Sequence, residues 1–161
     1  TYPLPEAQLD RFLLQIDVNY PGRAAERRIL LETTGAEEAK PSAVMTSDAL
    51  MTAQRLVRRL PVGESVVEAV LDLVRSARPG DGPAEVTDKL LWGPGPRASQ
   101  ALMVAARARA LIEGRLAPSV GDVVALAEPV LKHRMALTFA ARADGETVTG
   151  LIRRLAARFD G

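Results

Sequence analysis

The sequence predicts a mainly α fold: a helical bundle preceded by the last helix–strand–helix piece of an α/β unit. Three observations predict it. From residue 47 onward, apolar residues recur at helical spacing between turn clusters rich in Gly and Pro. Near the start, Leu14, Ile16 and Val18 alternate with Gln15, Asp17 and Asn19, a period-two pattern that fits a strand with one buried face. That strand has no partner in the rest of the chain, so its sheet is expected upstream or in another chain.

The elements follow in order. Residues 5–13 are expected to be a short helix. Pro5 suits a first helical position, Glu6 suits the positive end, and Leu9, Phe12 and Leu13 share a face. Tyr20-Pro21-Gly22 closes the strand. Residues 23–33 read as a second helix with Ala24, Ile29 and Leu30 or Leu31 inward, stopped by Gly35. The polar segment between Thr33 and Pro41 is expected to be a hinge. Ser47 and Asp48 start a helix with Leu50, Ala53, Leu56, Val57 and Leu60 on one face, ended by Pro61. Residues 64–77 repeat the pattern through Val67, Val70, Leu71 and Val74. Residues 78–82 form a turn, and Val86 to Trp92 a brief extended piece. A long Ala-rich helix runs from Pro96 to Glu113, ended by Gly114. Ser119 with Asp122 forms a capping pair for a helix to Glu128. Pro129 is expected to open another helix to Phe139, and residues 146–159 to form the last one. The boundary between the α/β piece and the bundle is placed between Thr33 and Pro41.

Composition narrows the chemistry. The chain has 161 residues, about one domain by length. Apolar residues make up 47% and charged residues 25%, which places it among globular chains that can offset their ordering entropy. Aromatics are only 4%, so the core must come from Leu, Val, Ile and Ala. There is no Cys, which excludes disulfides, thiolate metal sites and Cys nucleophiles. It also fits a reducing, cytoplasmic location. One histidine, His133, leaves no room for a multi-His metal site. No apolar run approaches the roughly 20 residues of a membrane span. The net charge of +1 and the scarcity of aromatics give nucleic-acid binding little support.

Two arginines stand out. Arg11 follows Asp10 just before the strand. It reads either as a solvated helix arginine or as a guanidinium offered to an anion on a neighbour, since Arg forks onto phosphate oxygens. Arg97 falls in the first turn of the Ala-rich helix, where a cation is disfavoured by roughly 0.3–1 kcal/mol. An anion arriving there would reverse the sign, because free N–H groups and the guanidinium would both face it. The plainer alternative is contact with solvent or with an acid on another helix. Arg55, Arg58 and Arg59 form a stripe that reads as a solvated face. His133, beside Lys132 and Arg134, reads as a packed or capping histidine, and Glu37 with Glu38 as linker solvation. No GlyLysThr or GlyLysSer follows a glycine-rich turn, so no phosphate-binding P-loop is present.

The stretch TYPLPEAQLDRFLLQIDVNYPG at 1–22 resembles the segment just after the sensor 1 motif in MoxR-type AAA+ ATPases. GPGPRASQALMVAARARALIEGR at 93–115 and VGDVVALAEPVLKHRM at 120–135 resemble the helical lid domain of the same family, in the same order and spacing. The resemblance is sharp at 1–33 and 93–135 and looser elsewhere.

It implies the C-terminal part of an ATPase of the helix-2-insert branch: the end of the AAA+ core, linking helices at 36–82, and the lid at 83–161. Such proteins work as rings, usually homo-hexamers, and act as chaperones on partner proteins, often ones with a von Willebrand factor A domain. The intact protein would use ATP and Mg²⁺. Arg11, in LeuAspArgPhe, falls on the arginine-finger position, which acts in trans on the neighbouring subunit's γ-phosphate. Arg97, in GlyProArgAla, falls on the sensor 2 position, in cis or in trans. Gly95 departs from the Ser of many members. The Walker A lysine, Walker B acids and sensor 1 residue would lie before Thr1, so this chain is expected to be inactive alone and to bind no nucleotide tightly. The residues by themselves leave a second reading open, a free-standing helical protein-interaction module without a nucleotide role.

Overall fold

A computed structural model of the chain describes residues 4–35 and 40–159. The acidic pair Glu37 and Glu38 lies outside the described residues. By contact the chain divides into two units, one made of residues 1–15 with 55–161 and the other of residues 16–54.

The larger unit is a helical bundle. Its main helices are α4 (Glu64–Ser76), α6 (Pro96–Ile112), α7 (Val120–Leu131) and α9 (Val148–Ala156). Helix α6 packs against α4 and α7, and α9 packs against α7 and α4. Leu73, Leu102, Leu131, Leu151 and Leu155 are wholly buried between them. The chain's poverty in aromatics is met as expected, by aliphatic side chains and by a row of alanines. Ala98, Ala101, Ala105, Ala106 and Ala110 are all buried on α6 and let its neighbours approach closely. On α4 the buried face is Val66, Ala69, Val70, Leu73 and Val74, rotated from the expected one, so that Leu71 is exposed.

The short elements close the ends of the bundle. The expected extended piece between Val86 and Trp92 divides into helix α5 (Ala84–Thr87) and strand β1 (Leu90–Trp92). β1 pairs antiparallel with β2 (Ala136–Leu137), with Leu90 opposite Leu137 and an irregularity before Trp92. Helix α8 (Phe139–Ala143) is capped by the Thr138 hydroxyl, which accepts from the Ala141 amide. Gly93 lies in a tight passage, where a Cβ would sit 2.3 Å from the Ala77 carbonyl oxygen. Gly114 ends α6 with φ of 74°, a left-handed conformation that favours glycine.

Pro129 does not open a new helix. Helix α7 runs through it to Leu131, and a 3-10 turn follows at Lys132–Arg134. The proline removes one amide donor, and its carbonyl accepts from the Gln15 amide at 2.8 Å. The Ser119/Asp122 capping box at the start of α7 is formed as expected.

The first helix is shorter than the sequence predicts. Helix α1 spans only Glu6–Leu9. Past Leu9 the chain turns, with the Arg11 and Phe12 amides bonding three residues back to the Gln8 and Leu9 carbonyls, and Arg134 donates to the carbonyls of Asp10, Phe12 and Leu13.

In the smaller unit, α2 (Arg23–Thr33) forms where expected, but its Ile29, Leu30 and Leu31 are exposed. Helix α3 (Ser47–Arg59) begins with the Thr46 hydroxyl accepting from the Ala49 amide and runs on past the boundary between the units. Residues 14–18 form no strand. Among the described residues no strand pairs with them, and Ile16, Val18 and Tyr20 are exposed. Among the described residues no helix is long and apolar enough to cross a membrane.

Candidate functional site

The larger unit has an open groove of about 510 Å³, lined by Asp10, Arg11, Leu13, Arg58, Arg97, Gln100, Ala101, Val104 and Arg134. Four arginines and one aspartate line it, so its field favours an anion. Both arginines singled out from the sequence are there.

Arg97 comes from the first turn of α6. Gly95 is the N-cap and supplies no side-chain acceptor, Pro96 is the first helical residue, and no acid stands in the first turn. The positive end of a 17-residue helix therefore faces the groove uncompensated from within the helix. The Arg97 Nη1 lies 3.7 Å from Asp10 Oδ2, a loose and half-exposed ion pair.

Arg11 comes from the turn after α1. Its amide donates to the Gln8 carbonyl at 3.1 Å. Its guanidinium is exposed and has no ion-pair partner among the described residues. Arg58, from the end of α3, joins them on the groove wall. It belongs to the stripe that the sequence reads as a solvated face.

Arg134 was not singled out by sequence reasoning. Its side chain is only 2% exposed, and its Nε donates to Asp10 Oδ1 at 3.1 Å. Its terminal nitrogens donate to the carbonyls of Asp10, Phe12, Leu13 and Val130. Asp10 and Arg134 stand 124 residues apart, and no local signal links them.

His133 is buried beside Arg134. A carbonyl only accepts, so the Nε2 that meets the Phe12 oxygen at 3.2 Å carries the ring proton. Nδ1 is then a bare, buried nitrogen without a partner. Burial holds the imidazole pKa below its ordinary value; the Phe12 carbonyl hydrogen bond opposes this, the Arg134 charge adds to it, and Asp10 exerts the smallest upward pull. His133 is thus a packed, neutral histidine that helps fix the turn carrying Arg11.

A second ionic cluster lies apart from the groove. Asp122, almost fully buried, receives both Arg115 terminal nitrogens at 2.7 and 2.6 Å as well as the Ser119 amide and hydroxyl. The Arg115 hydrogen bonds outweigh the cost of burial and bring the Asp122 carboxyl down to about 2. Its oxygens are engaged by the Ser119 cap of α7 and by Arg115, so this cluster is structural. Among the described residues no group of His, Asp and Glu could hold a metal ion.

Comparison with known proteins shows what the chain is similar to. Residues 85–155 match the AAA lid domain family. The chain is 35% identical over 145 residues to the chaperone MoxR1 of Mycobacterium tuberculosis, covering 89% of this chain and 38% of that protein. It is 31% identical over 152 residues to protein MoxR of Methylorubrum extorquens, covering 85% and 44%. It is also similar in structure to a candidate ATPase from Cytophaga hutchinsonii seen by crystallography. The TM-score is 0.88 at 25% identity, over 97% of this chain and 48% of that one. The chain therefore spans less than half the length of these relatives. It is a homologue of the MoxR chaperones and carries the helical lid domain of the MoxR-type AAA+ ATPases.

Proposed function

We propose that this chain is the C-terminal part of a MoxR-like AAA+ ATPase and supplies the arginines that complete a nucleotide site. Arg11 is the arginine finger, acting in trans on the γ-phosphate held by a neighbouring subunit. Arg97 is the sensor 2 residue. The observation that carries this reading is their shared groove: one unpaired and one loosely paired guanidinium beside the uncapped start of α6.

The physical role follows from phosphoryl transfer, which is largely positioning and charge neutralisation. An arginine offered across an interface makes hydrolysis depend on assembly, and is worth roughly 10³–10⁵ in rate in related phosphate chemistry. Because Arg97 lines the same groove as Arg11, both serve the neighbour's nucleotide in this proposal. Asp10 gives up its loose hold on Arg97 when the phosphate arrives.

The wider reading belongs with the site. The intact protein uses ATP and Mg²⁺, forms a homo-oligomeric ring of six subunits in the cytoplasm, and spends hydrolysis on remodelling or maturing partner proteins, such as ones with a von Willebrand factor A domain. Residues 1–35 then close the AAA+ core, 36–82 link, and 83–161 form the lid.

The experiment is ATP turnover by the full-length protein carrying Arg11→Ala or Arg97→Ala. Arg11→Ala is expected to lower turnover at least 10³-fold with nucleotide binding retained, and Arg97→Ala to lower turnover or binding. Wild-type turnover in both variants would remove the assignment.

A further inference from the structure

We propose that Arg134 is the positioning residue for both groove arginines, acting through Asp10 and the backbone on either side of Arg11. The proposal rests on the assignment of Arg11 and Arg97 given above and names what holds them in place.

The contacts bracket Arg11. On its N-terminal side, Arg134 takes Asp10 twice, by Nε to Oδ1 at 3.1 Å and by Nη2 to the carbonyl at 3.1 Å. On its C-terminal side, Nη2 donates to the Phe12 carbonyl and Nη1 to the Leu13 carbonyl at 3.3 Å. Nη1 also donates to Val130, which anchors the guanidinium to the last turn of α7. The Arg11 carbonyl is not among these acceptors. The backbone is thus pinned on both sides of Arg11, while its side chain projects to the groove. His133 adds a bond to Phe12, and the Gln15 amide adds one to Pro129.

Asp10 extends the clamp to Arg97. One carboxylate oxygen is held by Arg134, and the other faces Arg97 at 3.7 Å. A single carboxylate therefore holds the resting Arg97 loosely beside the turn that carries Arg11. Only a planar fork of five donors can serve both sides of the turn at once. A lysine ammonium is a point donor with three, and reaches at most part of the set. Such fixed geometry matters because a displacement of about 1 Å at a reacting group can cost roughly 10²-fold in rate.

The test uses the full-length protein with Asp10→Asn and Arg134→Lys, and reads amide hydrogen exchange beside steady-state ATP turnover. Asp10→Asn keeps the four carbonyl acceptors of Arg134, so it leaves the bundle folded and is the decisive variant. Both variants are expected to speed exchange at residues 11–15 by tenfold or more, with α6 and α7 unchanged. Both are expected to lower kcat by about 10²-fold at nearly constant KM. Unchanged exchange at 11–15 would show that no clamp exists. Faster exchange with wild-type kcat would reduce Arg134 to a structural tie. Arg11→Ala, measured beside them, separates the two claims. A slow Arg11→Ala with a normal Asp10→Asn overturns the positioning role alone. A normal Arg11→Ala overturns the finger assignment and, with it, this proposal.

Discussion

Asp10 Oδ1 and Arg134 Nε meet at 3.1 Å across 124 residues of chain. The arginine is buried and the aspartate is partly exposed, so the pair brings a solvated turn onto the end of α7. Every hydrogen-bonding direction of the guanidinium is used, which is what makes a buried cation tolerable. Removing the cation takes its donors from the Asp10 carboxylate and from the carbonyls of Asp10, Leu13 and Val130, while the Phe12 carbonyl keeps the His133 bond. Arg134→Met is therefore expected to destabilise the fold by about 3–5 kcal/mol, read as a lower midpoint in urea unfolding. Asp10→Asn is expected to cost less, about 1 kcal/mol, because it keeps the carbonyl acceptors.

Acid tests the Asp122 cluster. The native carboxyl titrates at about 2, against 3.8 for the free group. Its contribution is complete above pH 3.8, and declines as pH falls through 3.8 toward 2, because the unfolded chain then binds more protons than the native one. The side chain is 3% exposed, and the contribution is about 2 kcal/mol. Asp122→Asn should be less stable than wild type by about that amount at pH 7, with the gap closing near pH 2 in thermal unfolding.

His133 gives a signature of the same sign in a higher pH range. Its native pKa lies below the ordinary 6.5 because burial disfavours the imidazolium. Stability is complete above pH 6.5 and falls as pH drops below it, since the unfolded histidine takes the proton first. Between pH 7.5 and 5.5 the wild-type melting temperature should fall. His133→Gln should lose most of that dependence.

Two glycines that flank Pro94 should behave oppositely. A Cβ at Gly93 would sit 2.3 Å from the Ala77 carbonyl oxygen and 3.1 Å from Arg78 Cα, both backbone atoms that have little room to yield. Gly93→Ala is expected to cost roughly 1–3 kcal/mol through overpacking. At Gly95 nothing stands within 4 Å, and the position is the N-cap of α6. Gly95→Ser should be neutral or stabilise by a few tenths of a kcal/mol. Denaturant midpoints of the two variants measure the contrast.

The legible parts of the fold were those written in local patterns. The long alanine helix, its glycine stop, and the Ser119/Asp122 box all follow from residues within a few positions of one another. The parts that were not legible depend on partners far away in sequence. Helix α1 stops at Leu9 and the turn that follows is held by Arg134, and nothing around Leu9 signals this. The strand pattern at 14–18 is genuine alternation, but a ladder needs a neighbour, and among the described residues no strand pairs with them. Pro129 looked like a helix start by local rule. It sits in the last turn of α7, and its carbonyl finds a distant partner in the Gln15 amide. In the site, Arg11 and Arg97 were visible through family resemblance, whereas the residue that holds them was visible only once Asp10 and Arg134 were brought together.

The most direct measurement is a mixing experiment on the full-length protein. Arg11→Ala protein, which keeps its own nucleotide-binding residues, is mixed with protein whose triphosphate-binding lysine has been replaced but whose Arg11 is intact. If Arg11 acts across the subunit interface, each is inactive alone and the mixture regains ATP turnover well above the sum of the two. If Arg11 has no such role, either Arg11→Ala turns over normally by itself or the co-assembled mixture stays as inactive as its parts.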